Sequence, residues 1–300
     1  MNNNYLWDIL KLNKDKRIFI FMSIKIITDS ISDIPFTDQK KLNIEILPLC
    51  VSIDGQEYLD GIEITREEFY ERLPRCQKLP TTSQVSPDKF EAAFNRINRK
   101  QDEALVILSA HTISGTFQSA CIARDAVGGE NIFIIDSENV CVGEALLVYE
   151  AIRLRNEGRT CAEIIEHINS IKGRVRLIAF IDTIKYLKMG GRISATSAMF
   201  ASVLNIKPIV TMQQGEIKLI DKARGQNAAF DCLLKLVLKS PPKKDSLFVV
   251  GDSNNKDLSN TLSKMLKKAI KSIKIEQLTV GPVVGTHAGP NCAGLAFIAR

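Results

Sequence analysis

Three short segments carry the side chains best suited to chemistry. In Ile113-Ser114-Gly115-Thr116, two hydroxyls flank a glycine at the start of a helical stretch. A strand ending there leaves free backbone N–H groups and the positive end of a helix dipole facing one point, and Gly115 lets a ligand approach the backbone. That chemistry suits a carboxylate or a phosphate. Pro80-Thr81-Thr82-Ser83-Gln84 places three consecutive hydroxyls and an amide in one loop. Ser86-Pro87 already starts the helix that follows, so Thr82, Ser83 and Gln84 are free for another role. His287 is one of three histidines and stands in Gly285-Thr286-His287-Ala288-Gly289-Pro290, read as a tight loop after a strand. An imidazole there could meet a carboxylate or a hydroxyl.

The remaining polar loops are plainer. Thr28-Asp29-Ser30 and Asp136-Ser137 follow apolar runs, and Ser, Thr and Asp at such places are what any helix start favours. All of these loops are rich in hydroxyls and poor in fixed positive charge. No Gly-rich phosphate loop with a Walker lysine accompanies them, which disfavours a self-sufficient kinase. Pairing Ser114 with His287 would make a stand-alone hydrolase the alternative, although no Gly-x-Ser-x-Gly elbow supports it. Neither a cofactor nor a metal is implied, since no ligand cluster is present in the sequence.

The elements that must position these residues alternate. Apolar runs at 24–28, 104–109 and 131–135 have strand length, and 44–53 reads as an extended pair or one strand bent at Pro48. Helical patterns fall between them at 64–73, 87–98, 114–126 and, strongly periodic, at 143–156. Alternation of this kind predicts a parallel sheet covered on both faces. Beyond Lys172-Gly173 the order is less regular. A short helix near 196–203 precedes two runs, 206–212 and 216–220, which flank Gln213-Gln214-Gly215 as a hairpin. The expectation is an α/β protein of two domains, a parallel-sheet α/β/α domain over 22–172 and a mixed-sheet α/β domain over 173–300. Residues 1–21 are expected to lie outside the fold as an extension.

Composition bounds the rest. Apolar residues make up 45% and charged residues 25% of 300, ordinary for a globular protein. The net charge of +6 owes much to lysines between 235 and 274, such as Lys235, Lys239, Lys264, Lys267 and Lys268. With Phe248 the lone aromatic among them, they read as a solvated helix face rather than a nucleic-acid footprint. Seven cysteines without a Cys-x-x-Cys spacing argue for a reducing, cytoplasmic setting. The apolar run Ile18-Phe19-Ile20-Phe21-Met22 is too short for a signal peptide or a membrane span, so no stable membrane insertion is expected.

Taken in order, these segments resemble the DegV family of fatty-acid-binding proteins, also called FakB, from about Ile24 to Arg300. The resemblance rests on Thr28-Asp29-Ser30, Thr82-Ser83-Gln84, Ser114-Gly115-Thr116-Phe117-Gln118-Ser119-Ala120, Asp136-Ser137 and Tyr186-Leu187-Lys188-Met189-Gly190-Gly191-Arg192. Leu204-Asn205-Ile206-Lys207-Pro208 and Gly285-Thr286-His287-Ala288-Gly289-Pro290 complete it. Val85, Cys141 and Asn291 depart from the usual pattern. The likeness implies a long-chain fatty acid in a buried tunnel, with its carboxylate near Thr82, Ser114 and His287 and with Ser83, Gly115 and Thr116 in the same site. It also implies a partner, an ATP-binding fatty acid kinase subunit, that converts the bound acid to an acyl phosphate for phospholipid synthesis. Arg192 is then the residue associated with that partner.

Overall fold

The computed structural model describes residues 23–193 and 205–300. The expected extension over 1–21, the helix near 196–203 and Leu204 lie outside these residues. In chain order the strands are β1 (Ile24–Asp29), β2 (Ile44–Leu47), β3 (Cys50–Ile53), β4 (Gln56–Leu59), β5 (Thr81–Ser83), β6 (Glu103–Leu108) and β7 (Ile132–Asp136). Then come β8 (Val175–Phe180), β9 (Ile206–Gln213), β10 (Glu216–Arg224), β11 (Leu247–Asp252), β12 (Lys274–Thr279) and β13 (Ala293–Ile298). The helices used below are α1 (Arg66–Arg72), α2 (Pro87–Lys100), α3 (Thr116–Val127), α4 (Cys141–Asn156), α5 (Cys161–Lys172), α6 (Lys185–Met189), α7 (Gln226–Lys239), α8 (Lys256–Ala269) and α9 (Pro282–Ala288).

Ala104 through Leu108 in β6 are all fully buried, so that strand must be covered on both sides. It lies inside a four-stranded parallel sheet of order β2-β1-β6-β7. Successive residues of β1 serve opposite faces, as the pleat requires. Ile27 packs with Phe90, Phe94 and Ala120 from α2 and α3, whereas Ile26 packs with Leu146 and Ala151 from α4.

The second sheet is mixed, with order β10-β9-β8-β13-β11-β12 and only β11 and β12 parallel. Gln214 and Gly215 close the expected hairpin, both at positive φ (51° and 77°) as a tight turn of this twist demands. Phe230, Leu233 and Val237 of α7 and Leu258, Leu262 and Leu266 of α8 cover one face. Lys235, Lys239, Lys264, Lys267 and Lys268 lie exposed on the far side of those helices, a solvated face. All seven cysteines are free. Among the described residues no helix is long and apolar enough to cross a membrane.

Helix α4 joins the two sheets, packing on β1 and β6 and also on β8, β11 and β13. The strong one-faced periodicity expected of it does not hold: residues 141–148 are buried all round. A helix between two sheets has no solvent side there, which explains why apolar residues run on without a gap.

Three local readings are refined. Of the two readings of 44–53, the extended pair holds and the single bent strand does not. Pro48 separates β2, in the parallel sheet, from β3, the centre of a small antiparallel sheet of order β4-β3-β5. The loop read at 80–84 contains β5, whose Thr82 sits opposite Val51. The loop read at 285–290 begins inside α9, started by Pro282 at the position where proline's missing N–H costs nothing. Helix α9 packs against α1, α6, β3 and β5, which brings His287 beside the small sheet.

Candidate functional site

Between the parallel sheet, the mixed sheet and α9 lies a cavity of about 320 Å³, at the small end of ligand pockets. Most of its wall is apolar, from Ile31, Leu49, Val142, Leu177, Val210, Met212 and Val283. Thr82, Ser83, Ser114, Gly115, His287 and Arg192 also line it. Residues far apart in sequence thus meet at one surface.

Each polar residue is held by a specific bond. The Thr82 hydroxyl and His287 Nε2 lie 3.0 Å apart. Ser114 Oγ meets Thr116 Oγ1 at 2.9 Å, and the Thr116 hydroxyl accepts from the Val85 N–H at 3.4 Å. Gln84 Nε2 donates to Ser119 Oγ at 2.7 Å. These bonds tie the segment after β5 to the start of α3, and so place Thr82 and Ser114 on one cavity. Thr116 itself is fully buried behind Ser114 and does not line the cavity. It sets the position of its neighbour rather than touching the space. Gly115 leaves room for the Gln84 amide, because a Cβ there would stand 1.9 Å from Oε1.

The nucleophile–base pair that a hydrolase would need is not formed. His287 Nε2 is engaged by Thr82 and the Ser114 hydroxyl by Thr116. Burial, and next the charge of Arg192, lower the His287 pKa to about 4, so the ring is neutral at physiological pH. Its Nδ1 is buried and has no hydrogen-bond partner among the described residues. It lies against Gly190, where a Cβ would come within 2.1 Å of that nitrogen. Arg192 is half-buried and donates from Nη1 to the Gly190 carbonyl. The hydroxyl-bearing loops themselves carry little fixed positive charge. Arg192 brings a cation to the cavity from the segment after α6 rather than from any loop beside Thr82 or Ser114.

Behind the cavity stands a group of buried carboxyls that sequence reading did not assemble. Asp29 Oδ1 accepts from the Ile31 N–H at 2.8 Å, and Oδ2 accepts from the Ser109 N–H and hydroxyl at 3.1 and 3.0 Å. It thereby joins the ends of β1 and β6. Asp33 Oδ1 accepts from the Gly281 N–H at 2.7 Å, just ahead of α9. Glu144 Oε1 accepts from Thr28 at 2.9 Å. Burial raises the pKa of Asp29 and of Asp33 to about 6 and that of Asp60 to about 7, and it raises Glu144 well above the usual carboxylate range. Asp33 Oδ2, Asp60 Oδ2 and Glu144 Oε2 have no hydrogen-bond partner among the described residues. Among the described residues, no group of three or more His, Cys, Asp or Glu is arranged to hold a metal ion.

Comparison with known proteins places this geometry in a family. A model described as an uncharacterised protein family, DegV, matches residues 23–300. A DegV domain-containing protein of Caldanaerobacter subterraneus is 37% identical over 276 residues, covering 91% of this chain and 98% of the relative. A Thermus thermophilus DegV family protein, described for its fatty acid binding, superposes with a TM-score of 0.86 at 26% identity, covering 93% of this chain and all of the other. The Streptococcus pneumoniae Fatty Acid Kinase B3 protein, solved loaded with linoleic acid, shares the fold with a TM-score of 0.82 at 20% identity, covering 93% of this chain and 100% of that one. The two-sheet fold is shared with these solved structures, and the family model and the 37% identical relative show that the chain belongs to the DegV family.

Proposed function

We propose that this protein holds one long-chain fatty acid, its chain in the apolar cavity and its carboxylate at Thr82, Ser114 and His287, for phosphorylation by an ATP-binding kinase subunit in the cytoplasm. The observation that carries the reading is the make-up of the cavity: an apolar wall on which hydroxyls and a neutral imidazole converge. The fatty acid binding described for the Thermus thermophilus neighbour supports it.

The energetics divide the work. Burying one methylene contributes about 0.8 kcal/mol, so roughly fifteen offer on the order of 12 kcal/mol gross. Each hydrogen bond from a neutral donor to the charged carboxylate adds about 1.5–3 kcal/mol. Affinity therefore resides chiefly in the apolar wall, while the hydroxyls and His287 set orientation. A neutral ring leaves the carboxylate oxygen nucleophilic enough to attack the γ-phosphorus of ATP, giving acyl phosphate and ADP. Arg192 is the cation nearest this chemistry, and its planar guanidinium suits a phosphate or a partner's carboxylate. Arg192→Ala should retain the fatty acid yet lower acyl-phosphate formation at least about tenfold, the loss of one charge-assisted contact of about 1.5–3 kcal/mol. A reconstituted assay with the kinase subunit and ATP measures this. Turnover equal to the wild type would remove Arg192 from the reaction.

A further inference from the structure

A second cavity, of about 460 Å³, shares only Thr211 and Met212 with the first. Its other side chains are mostly polar, namely Glu138, Asn139, Lys172, Arg176, Gln213 and Gln214 near the β9–β10 turn. The two shared residues are not equivalent. Thr211 is fixed, because its hydroxyl donates to the Leu177 carbonyl at 2.7 Å. Met212 is buried with Leu177 and Val142 in the apolar cluster around α4, and it has three rotatable side-chain bonds and a polarizable sulfur.

The position of Met212 along the first cavity follows from strand register. Leu177, Ala179 and Ile181 line the cavity. Ile181 clusters with Leu187, Cys292 and Ala288, the residue after His287. Leu177 lies four residues back along the chain, about 13 Å away at roughly 3.3 Å per residue. Antiparallel pairing of Ile178 with Thr211 puts Met212 beside Leu177. Met212 therefore stands at the end of the cavity away from His287, with the second cavity behind it.

We propose that Met212 is the stop that sets acyl chain length. Chains that fit the first cavity end against its thioether, and longer ones are disfavoured because the space behind it, where Lys172 pairs with Glu138 at 2.8 Å, is polar and offers a methyl end little apolar surface. The inference rests on the fatty-acid reading above and adds the residue that selects among fatty acids. Shortening the side chain should favour longer acids, and filling the space with an aromatic ring should favour shorter ones. A buried methylene changes affinity about fourfold, so two methylenes change a preference about 15-fold.

The test is competition between myristic acid and arachidic acid for delipidated protein, read by mass spectrometry of the bound fraction. Met212→Ala should move the ratio toward arachidic acid by about 15-fold or more, and Met212→Phe should move it the other way. Should the alanine variant fail to fold, Met212→Val carries the same direction with a smaller loss of volume. Wild-type selectivity in both folded variants would overturn the proposal while leaving fatty acid binding intact. A wild-type protein that takes up neither acid would overturn the binding reading and this inference with it.

Discussion

Ser114→Ala should leave the protein carrying its fatty acid while acyl-phosphate formation with the kinase subunit falls roughly 10²-fold, the cost of a small misplacement of a reacting group. Losing one hydroxyl removes about 1.5–3 kcal/mol of hydrogen bonding to the carboxylate, still small beside the on the order of 12 kcal/mol gross offered by the buried chain. The effect on geometry is larger. Without Ser114 Oγ, the Thr116 hydroxyl loses its partner at 2.9 Å, and Thr116 is what the Val85 N–H bonds to. The segment that carries Thr82 is loosened together with the site itself. Thr82→Ala and His287→Ala should behave alike, since each leaves the other member of the 3.0 Å pair unpartnered. Extraction of each variant alongside a turnover assay separates the two effects. A folded Ser114→Ala protein that is empty would mean that the hydroxyl governs affinity, and one that binds and turns over normally would mean that Ser114 only shapes the helix start.

Acidification from pH 8 to pH 6 should stabilise the protein, contrary to the usual behaviour of paired carboxylates. Asp29, Asp33, Asp60 and Glu144 have pKa values raised by burial. Stability from such groups is fully present below their unfolded values near 4 and is lost as pH rises through the folded values of about 6 to 7. His287 acts in the opposite sense. Its value of about 4 means that the folded state resists the proton its unfolded form accepts near pH 6.5, so it opposes the trend mainly below that pH. The groups facing the carboxyls are Arg66, which donates to the Asp33 carbonyl at 2.7 Å, and the neutral Tyr70 and Cys141, both with pKa values pushed well up by burial. Arg66 lowers Asp33 and Asp60 without cancelling their burial. Asp60→Asn should remove a penalty on the order of 4 kcal/mol at pH 8 and raise the melting temperature there by several degrees. Melting curves at pH 6 and pH 8 decide it. Equal wild-type stability at both values, or a destabilised Asp60→Asn at pH 8, would show that these carboxyls are ionised and compensated in the fold.

Much of this arrangement was legible in the residues. The apolar runs around Ile26, Leu105 and Ile134 and the helices between them announced the parallel sheet, and Gln214-Gly215 announced the hairpin. Thr82, Ser114 and His287 stood out because hydroxyls and an imidazole had no other local task. What escaped was set by contacts distant in the chain. Strands β4 and β5 have four and three residues, too short for alternation to register, and Thr82 takes its place from pairing with Val51. The glycines around His287 read as turn residues. Gly285 instead lets helix α9 approach Tyr70 and Phe69, where a Cβ would meet the Tyr70 hydroxyl at 2.6 Å. Asp60 and Glu144 drew no role from the sequence because nothing local to them signals burial. They are enclosed by the meeting of three sheets and α4.

The most direct test of the account is extraction of freshly purified, well-folded protein with organic solvent, followed by mass spectrometry and quantitation against protein. The account predicts about one long-chain fatty acid per chain with none added, because gross burial of some fifteen methylenes at about 0.8 kcal/mol each makes release slow. Folded protein whose extract contains no stoichiometric acyl chain, and which takes none up when offered, would contradict it.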